Sequence, residues 1–300
     1  LWIGSYLGGL DKFDGNKFTH FTHRENDPSS ISNNSIWEIF EDREHNLWIA
    51  TLGGGLDRFD KRTNSFEHYM SKDNRKPLLG NFVAAILQDK KGNIWIGSEN
   101  GLAVFNTKSL YNAAYSATPG KKGLSSNSII CLYEDSKGRI WVGTSDGLNL
   151  FDPFTKRFQS FTVNDGLPDN VIFNIIEDSK HSFWISTPNG LCNAIPVEKE
   201  DETGLTIINY DKANNLQSQE FNDNAAYRTK QGELIFGGIS GFNIINPAFI
   251  RTTISRPNIM FTDLQVLNKS IAPGELVHNR VLLSQSISQV SQINLKYHEN

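Results

Sequence analysis

One short segment returns six times along this chain. It reads Leu1-Trp2-Ile3-Gly4, Leu47-Trp48-Ile49-Ala50, Ile94-Trp95-Ile96-Gly97, Ile140-Trp141-Val142-Gly143 and Phe183-Trp184-Ile185-Ser186, with a weaker sixth copy, Leu234-Ile235-Phe236-Gly237. The central positions are 46, 47, 46, 43 and 51 residues apart. A period of roughly 40–50 residues built from strands predicts an all-β fold, a β-propeller with one four-stranded blade per repeat. Such a fold hosts enzymes, sensors and scaffolds alike, so function must be read from what fails to repeat.

Each full repeat has one grammar. An asparagine (Asn34, Asn81, Asn127, Asn170) stands 14 residues before the tryptophan, and Asn222 stands 13 before Ile235. An apolar run follows, as in Ile36 to Phe40 or Ile129 to Tyr133. It is apolar at odd and even positions alike, the pattern of a strand buried on both faces and here the innermost one. A turn such as Asp89-Lys90-Lys91-Gly92 comes next. His45 and His181 take the glycine slot in two copies, and histidine is among the few side chains tolerated at positive φ. They are therefore read as turn residues rather than catalytic or metal groups.

The tryptophan strand leads through a glycine loop to a third strand ending in Phe-Asp or Phe-Asn, where an Asx-turn is expected. An outer strand with spaced aromatics closes the blade. Trp2, Trp48, Trp95, Trp141 and Trp184 are read as the blade core, since a residue recurring at one strand position in every blade is first a packing element. Little of the chain has helical period; Ser109 to Ser116 is long enough for one turn. After Pro247 the pattern changes. Alternation from Pro257 to Val266, a turn at Asn268-Lys269 and a run from Ile293 to Tyr297 predict strands of a second β-domain. The expected division is 1–253 for the propeller repeats and 254–300 for the opening of that domain.

The formal net charge is −4 with mixed signs, so nothing electrostatic calls for nucleic acid or an anionic membrane surface as partner. The two cysteines, Cys131 and Cys192, occupy non-equivalent places in different repeats, which argues against a disulfide framework. The chain carries no Gly-x-Ser-x-Gly, His-Glu-x-x-His or Walker motif, and no catalytic residue, metal site or cofactor is assigned. His20 and His23 fall on opposite faces of any strand, which is wrong for joint metal ligation.

The stretch Gly138 to Asp152, Gly-Arg-Ile-Trp-Val-Gly-Thr-Ser-Asp-Gly-Leu-Asn-Leu-Phe-Asp, closely resembles the two-component regulator propeller repeat, as does Glu220 to Phe242. The resemblance implies the extracytoplasmic sensor of a hybrid histidine kinase of gut Bacteroidetes. Two seven-bladed propellers there precede a Tyr-rich, immunoglobulin-like β-sandwich. A membrane helix, kinase, receiver and DNA-binding domain follow. By that implication the six repeats are part of a seven-bladed propeller, and residues 254–300 begin the immunoglobulin-like domain. The chain is then periplasmic and non-enzymatic, with kinase activity, homodimer formation and membrane attachment belonging to the rest of the parent. The implied signal is an oligosaccharide, relayed across the membrane to control transcription. The rival readings are a propeller lyase or hydrolase and a purely structural or dimerisation module.

Recognition is expected on the face shared by two loop sets. The variable set runs over Thr22 to Asn33, Met70 to Gly80, Ala117 to Ser126, Thr162 to Asp169 and Tyr210 to Glu220. The loops after the tryptophan strands offer Tyr6, Asn100, Asp146 and Asn189 as ligand-binding candidates. Trp37 is the fifth, being the one tryptophan outside the repeated slot. The recurring asparagines either ring the channel mouth or tie down their own loops by bonding backbone.

Overall fold

The structure is a computed structural model. It describes residues 1–71, 78–106, 111–118, 123–198, 203–250, 261–277, 279–290 and 292–295, with only the backbone of 111 and 112. The chain divides into two compact units, Leu1–Phe249 and Ile250–Asn300. The first ends four residues before the boundary expected from the sequence.

The first unit is six antiparallel sheets in chain order. Blade 1 holds β1 (Trp2–Ser5), β2 (Gly9–Phe13) and β3 (Phe18–Phe21). Blade 2 holds β4 (Ile36–Glu41), β5 (Leu47–Thr51), β6 (Gly55–Asp60) and β7 (Ser65–Tyr69). Blade 3 holds β8 (Val83–Gln88), β9 (Ile94–Ser98), β10 (Gly101–Asn106) and β11 (Tyr111–Tyr115). Blade 4 holds β12 (Ile129–Glu134), β13 (Ile140–Thr144), β14 (Gly147–Asp152) and β15 (Arg157–Phe161). Blade 5 holds β16 (Asn174–Glu177), β17 (Phe183–Thr187), β18 (Gly190–Glu198) and β19 (Thr203–Tyr210). Blade 6 holds β20 (Phe221–Arg228), β21 (Leu234–Gly238) and β22 (Gly241–Ile245). The order within each four-stranded blade is sequential from the inner strand outwards, and the inner strands β4, β8, β12, β16 and β20 approach one another around the channel. The helical turn expected over Ser109 to Ser116 is not formed by the described part of it. Tyr111–Tyr115 pairs with β10 as the outer strand, so sheet pairing overrides the local pattern, while 109 and 110 lie outside the described residues.

One packing rule builds the core. The tryptophan face of each of blades 1 to 4 lies on the opposite face of the next. Trp48, Leu56 and Tyr69 of blade 2 pack on Val83, Ile86, Ile96 and Phe105 of blade 3. Trp95, Leu102 and Val104 then pack on Ile129, Val142 and Phe158, and Trp141, Leu148 and Phe161 on Ile172, Phe183 and Ile185. Trp2 is only half-buried, its ring edge-on to Phe59 at 5.1 Å. The slot after the tryptophan is small for a steric reason. A Cβ on Gly143 would lie 2.4 Å from Cys131 Sγ and 2.8 Å from Ile172 Cγ2 of the next blade.

Each buried indole N–H needs an acceptor, and the turn aspartate supplies it. Trp48 Nε1 donates to Asp42 Oδ2 at 2.8 Å, Trp95 to Asp89 at 2.9 Å, Trp141 to Asp135 at 3.0 Å and Trp184 to Asp178 at 3.0 Å. Where Ile235 replaces tryptophan, Thr229 replaces the aspartate. His45 and His181 both sit at φ +62° in these turns, where Gly92 and Gly138 stand in other blades. The predicted Asx-turns form at Asp14, Asp60 and Asp152, each accepting from the N–H two residues on. Asn106 differs: its amide donates to Asn93 Oδ1 at 3.0 Å.

Neighbouring blades are also joined by hydrogen bonds at three heights. At the loop end, Gly55 N donates to Asn81 O at 2.8 Å and Gly147 N to Asn170 O at 2.7 Å. At the turn end, the last inner-strand residue of one blade accepts from the preceding blade's turn. Arg43 N reaches Gln88 Oε1 at 2.8 Å, Lys90 N reaches Glu134 at 3.0 Å and Ser136 N reaches Glu177 at 2.7 Å. Between these ends, Glu38 and Asn174 bond backbone of the following inner strand, and Cys131 bonds Ile172 O just before β16.

The rule leaves two faces without a blade. Phe242 sits opposite Gly237 as Leu148 sits opposite Gly143, yet Phe242 is 64% exposed and Leu148 is fully buried. Ile244 of the same face is 56% exposed, and Ile3 on the other face of blade 1 is 40% exposed.

In the second unit, β23 (Gln265–Val266) and β24 (Lys269–Ser270) form a hairpin around Leu267 and Asn268, both at positive φ. β25 (Leu276–Val277) pairs with β26 (Arg280–Val281). Of the strand expected from Pro257 to Val266, residues 257–260 lie outside the described set, 261–264 are not strand and the last two are β23. Ile293 to Leu295 form no strand, and Lys296 and Tyr297 lie outside the described residues. The described residues of this unit do not form a sandwich of two sheets.

Candidate functional site at the channel mouth

The variable loops and the loops after the tryptophan strands share one end of the blades. Of the variable set, 72–77 and 119–122 lie outside the described residues. The asparagines before the inner strands tie their own loops. Asn34 Oδ1 accepts from His23 N at 2.7 Å, Asn81 from Ser71 N at 2.9 Å, Asn127 from Ala117 N at 2.6 Å and Asn170 from Val163 N at 2.9 Å. Asn222 is not their equivalent, contrary to the spacing. Blade 6 has four residues between its paired Phe221 and Ala226 where blade 2 has two between Ile36 and Ile39. The slot therefore falls on Gln219, whose carbonyl accepts from Gly190 N at 2.6 Å.

The five candidates are distributed rather than gathered, and none is hydrogen-bonded to another. Tyr6 is 72% exposed in the β1–β2 turn. Asn100 is exposed and bonds its neighbour Glu99 at 3.3 Å. Asp146 accepts from Asn170 Nδ2 at 2.9 Å. Asn189 donates to Pro168 O at 3.0 Å and accepts from Gln219. These last two hold adjacent loops together. Trp37 is half-buried beside the channel, its ring 5.7 Å from that of Phe82 at 52°.

Around Trp37 the fold assembles groups that the repeat pattern does not single out. Glu38 follows it on β4. Its Oε2 accepts from Ile86 N at 2.8 Å, and desolvation between inner strands pushes its carboxyl up to about 8 against the opposing pull of that bond. Asn224 of blade 6 donates from Nδ2 to Trp37 O at 3.3 Å, although 187 residues separate them. Asp223 beside it is half-buried, and desolvation raises its carboxyl too. Two signals were present in the sequence: Glu38 is the lone acid within the apolar run Ile36 to Phe40, and the fifth and last step is the longest at 51 residues.

Burial pushes the Cys131 thiol up to about 12 and the Cys192 thiol higher still, so neither is a ready nucleophile. Ser136, His181 and Glu177 meet at the turn end of blades 4 and 5. Ser136 Oγ and Glu177 Oε1 both lie 2.9 Å from the same His181 nitrogen, Nδ1. A relay needs the acid and the hydroxyl on different ring nitrogens, so this cluster joins blades rather than activating the serine. No group of three or more metal-ligating side chains occurs among the described residues. A groove of about 1670 Å³ lies on the wall of blades 3 to 5. A pocket of about 410 Å³ lies under the Thr22 to Asn33 loop, where His68 bonds Asp57 at 2.6 Å and Pro28 O at 2.8 Å.

Sheets ordered sequentially around a channel, each packing its tryptophan face on the next, define a β-propeller. Its repeats at residues 30–53, 77–100, 123–146 and 166–189 match the two component regulator propeller family, and the chain belongs to that family. It is 32% identical over 304 residues to Histidine kinase P4 of Formosa agariphila, an alignment covering 99% of this chain and 22% of that protein. The fold is similar to the extracellular domain assigned to a hybrid two component system of B. thetaiotaomicron, with a TM-score of 0.68 and 24% identity over 91% of this chain and 37% of that one. It is also similar to virginiamycin B lyase of Staphylococcus aureus, with a TM-score of 0.55 and 11% identity over 79% of this chain and 77% of that one. The chain thus spans well under half the length of the sensor-type relatives it matches. No helix among the described residues is long and apolar enough to cross a membrane.

Proposed function

We propose that this chain is part of the ligand-sensing, periplasmic region of a hybrid two-component sensor histidine kinase, and that its ligand is an oligosaccharide. The observation that carries the reading is the 32% identity to a histidine kinase across 99% of the chain, in a segment that is propeller rather than kinase. Rigid blades sewn at three heights, with loops of unequal length at one end, suit recognition more than catalysis. Kinase chemistry, control of transcription, homodimer contacts and membrane attachment belong in this reading to the rest of the parent. The lyase or hydrolase alternative gains no support from the Ser136–His181–Glu177 cluster.

The same reading includes a further blade and an immunoglobulin-like domain that residues 254–300 begin. The bare tryptophan face of blade 6 and the bare opposite face of blade 1 support the further blade. They are the two halves of the contact found at each boundary from blade 1 to blade 5. Isothermal titration of the complete ectodomain against a panel of neutral, amino and acidic oligosaccharides tests the sensing reading. Saturable binding by one class is expected. Silence across the panel from a folded ectodomain overturns it.

A further inference from the structure

We propose that the variable loop Thr22 to Asn33 is latched by a protonated histidine, His68, so that its closure depends on pH. The latch rests on geometry alone, and its bearing on ligand capture rests on the sensing reading above.

One slot ties the loop that enters each blade. It is formed by facing residues of the third and outer strands: Asp57–His68 in blade 2, Ala103–Ala114 in blade 3, Asn149–Ser160 in blade 4 and Cys192–Asn209 in blade 5. Blade 6 has Asn243 there. In blade 4, Asn149 Oδ1 accepts from Ser125 N at 2.9 Å. In blade 5, Asn209 Nδ2 donates to Gly166 O at 3.0 Å. In blade 6, Asn243 accepts from Gln217 N at 2.8 Å and donates to Asn215 O at 3.2 Å. These ties are amides, which do not titrate, and the alanines of blade 3 carry no polar group. Blade 2 alone among them fills the slot with an acid and an imidazole.

The hydrogen bonds there require an added proton. Asp57 is fully enclosed; its Oδ2 accepts from Ser32 N at 2.8 Å and its Oδ1 lies 2.6 Å from His68 Nδ1. His68 Nε2 lies 2.8 Å from Pro28 O. A carbonyl oxygen only accepts, so Nε2 must carry a hydrogen. In a neutral ring Nδ1 would then aim a lone pair at the carboxylate. Only the imidazolium donates to both, and it supplies the countercharge that an enclosed carboxylate needs. Of the two groups the imidazole is the stronger base, so the proton belongs to the ring.

The other charges around His68 do not take its place. On this face of blade 2 the remaining charged residue of the sheet is Glu41, at the turn end. Arg58 and Glu67 pair with each other on the opposite face at 2.7 Å. Lys12 of blade 1 lies over the Trp2 ring, 5.5 Å from its centroid. Within the loop, Arg24 pairs with Asp27 at 3.4 Å and Glu25 is exposed. His23 Nδ1 meets Ile31 O at 2.8 Å, a bond that a neutral ring makes. Blade 1 repeats the acid–imidazole pair as Asp11 and His20, but His20 is exposed and bonds no loop carbonyl among the described residues.

A histidine in open water loses its proton at about pH 6.5. The latched ring keeps it to higher pH, so closure binds a proton. The contribution to closure is complete below about pH 6.5 and is lost as pH rises through the value at which the latched ring deprotonates.

The test is hydrogen exchange of the 300-residue chain, with protection referred at each pH to an unstructured peptide of the same loop. Protection over residues 22–33 should fall roughly tenfold or more between pH 6 and pH 8, the scale set by one linked proton. The amide-tied loop Thr162 to Asp169 should not change. His68→Ala should leave the first loop weakly protected at both values. In Asp57→Asn the amide still accepts from Ser32 N and donates to an unprotonated Nδ1, while Nε2–H still reaches Pro28 O. That variant should keep the loop closed and lose the pH dependence. His20→Ala should alter neither. Nitrogen-15 spectra of the parent at pH 7 should show both ring nitrogens of His68 protonated. Equal protection at both pH values in the parent overturns the latch. So does a pH dependence that survives in Asp57→Asn, full protection in His68→Ala, or a neutral His68 ring beneath a protected loop at pH 7. No ligand enters the experiment, so failure of the oligosaccharide reading and failure of the latch are separate results.

Discussion

The second and third strands of blades 4 and 6 pair in one register and live in different surroundings. In blade 4, Trp141, Leu148 and Leu150 are buried against blade 5. In blade 6 the matching positions are Ile235, Phe242 and Ile244, and the last two stand open. Side chains at one strand position are equally apolar in both blades, yet only one set removes apolar surface from water. Repetition therefore encodes the capacity for burial, and the neighbouring blade realises it. The loss of tryptophan and of its partnering aspartate together, as Ile235 and Thr229, shows that the two were kept as a unit.

The largest test of this comparison is Trp141→Ala. It empties a fully enclosed site and removes the indole bond to Asp135, which keeps its bonds from Arg139, and should cost about 3–5 kcal/mol in urea melts. Ile235→Ala, in the same slot of blade 6, should cost clearly less. Equal costs would mean that blade 6 is as tightly enclosed as blade 4. Next, Leu148→Ala should cost about 2–5 kcal/mol, while Phe242→Ala should stay within about 0.5 kcal/mol for the 300-residue chain. In a longer protein carrying a further blade, the Phe242 variant should become as damaging as the Leu148 one.

Glu38 gives a test of intermediate size. Its folded-state carboxyl is raised from 4.5 to about 8. Between those values the folded state keeps a proton that the unfolded state has lost. Stability should therefore fall as pH rises from about 4.5 to 8 and level off above. The loss should be a few kcal/mol at most, since each tenfold change in proton affinity between folded and unfolded states is worth about 1.4 kcal/mol. Chemical denaturation across that range should show E38Q lacking this component of the slope. A slope unchanged in E38Q would place the carboxyl in open solvent. The smallest effect belongs to Asn127→Ala, which removes one bond to Ala117 N and should cost about 1 kcal/mol, seen as a lower Tm. Oligosaccharide binding should survive it.

The strands were legible because burial between two neighbours imprints an unbroken apolar run, and because turn residues punctuate it. The histidines at positive φ were legible for the same local reason. The outer strand Tyr111–Tyr115 was not, since its pairing with β10 is decided across the blade. The candidate site was legible only in part. Trp37 stood out by breaking the repeat. Tyr6, Asn100, Asp146 and Asn189 were chosen because they share one end of the blades, but none of them is hydrogen-bonded to another. Asn222 was misassigned because spacing counted from the tryptophan cannot see a bulge.

The sequence by itself determined the blade: its strands, its turns, its tryptophan slot and the family to which it belongs. Those depend on residues close in the chain and on patterns that recur. Only the tertiary structure decided which apolar faces are covered and which groups meet at the channel. The Trp37–Asn224 bond joins residues 187 positions apart. Their meeting depends on how the blades curve around one another, and no periodicity within a single repeat records that.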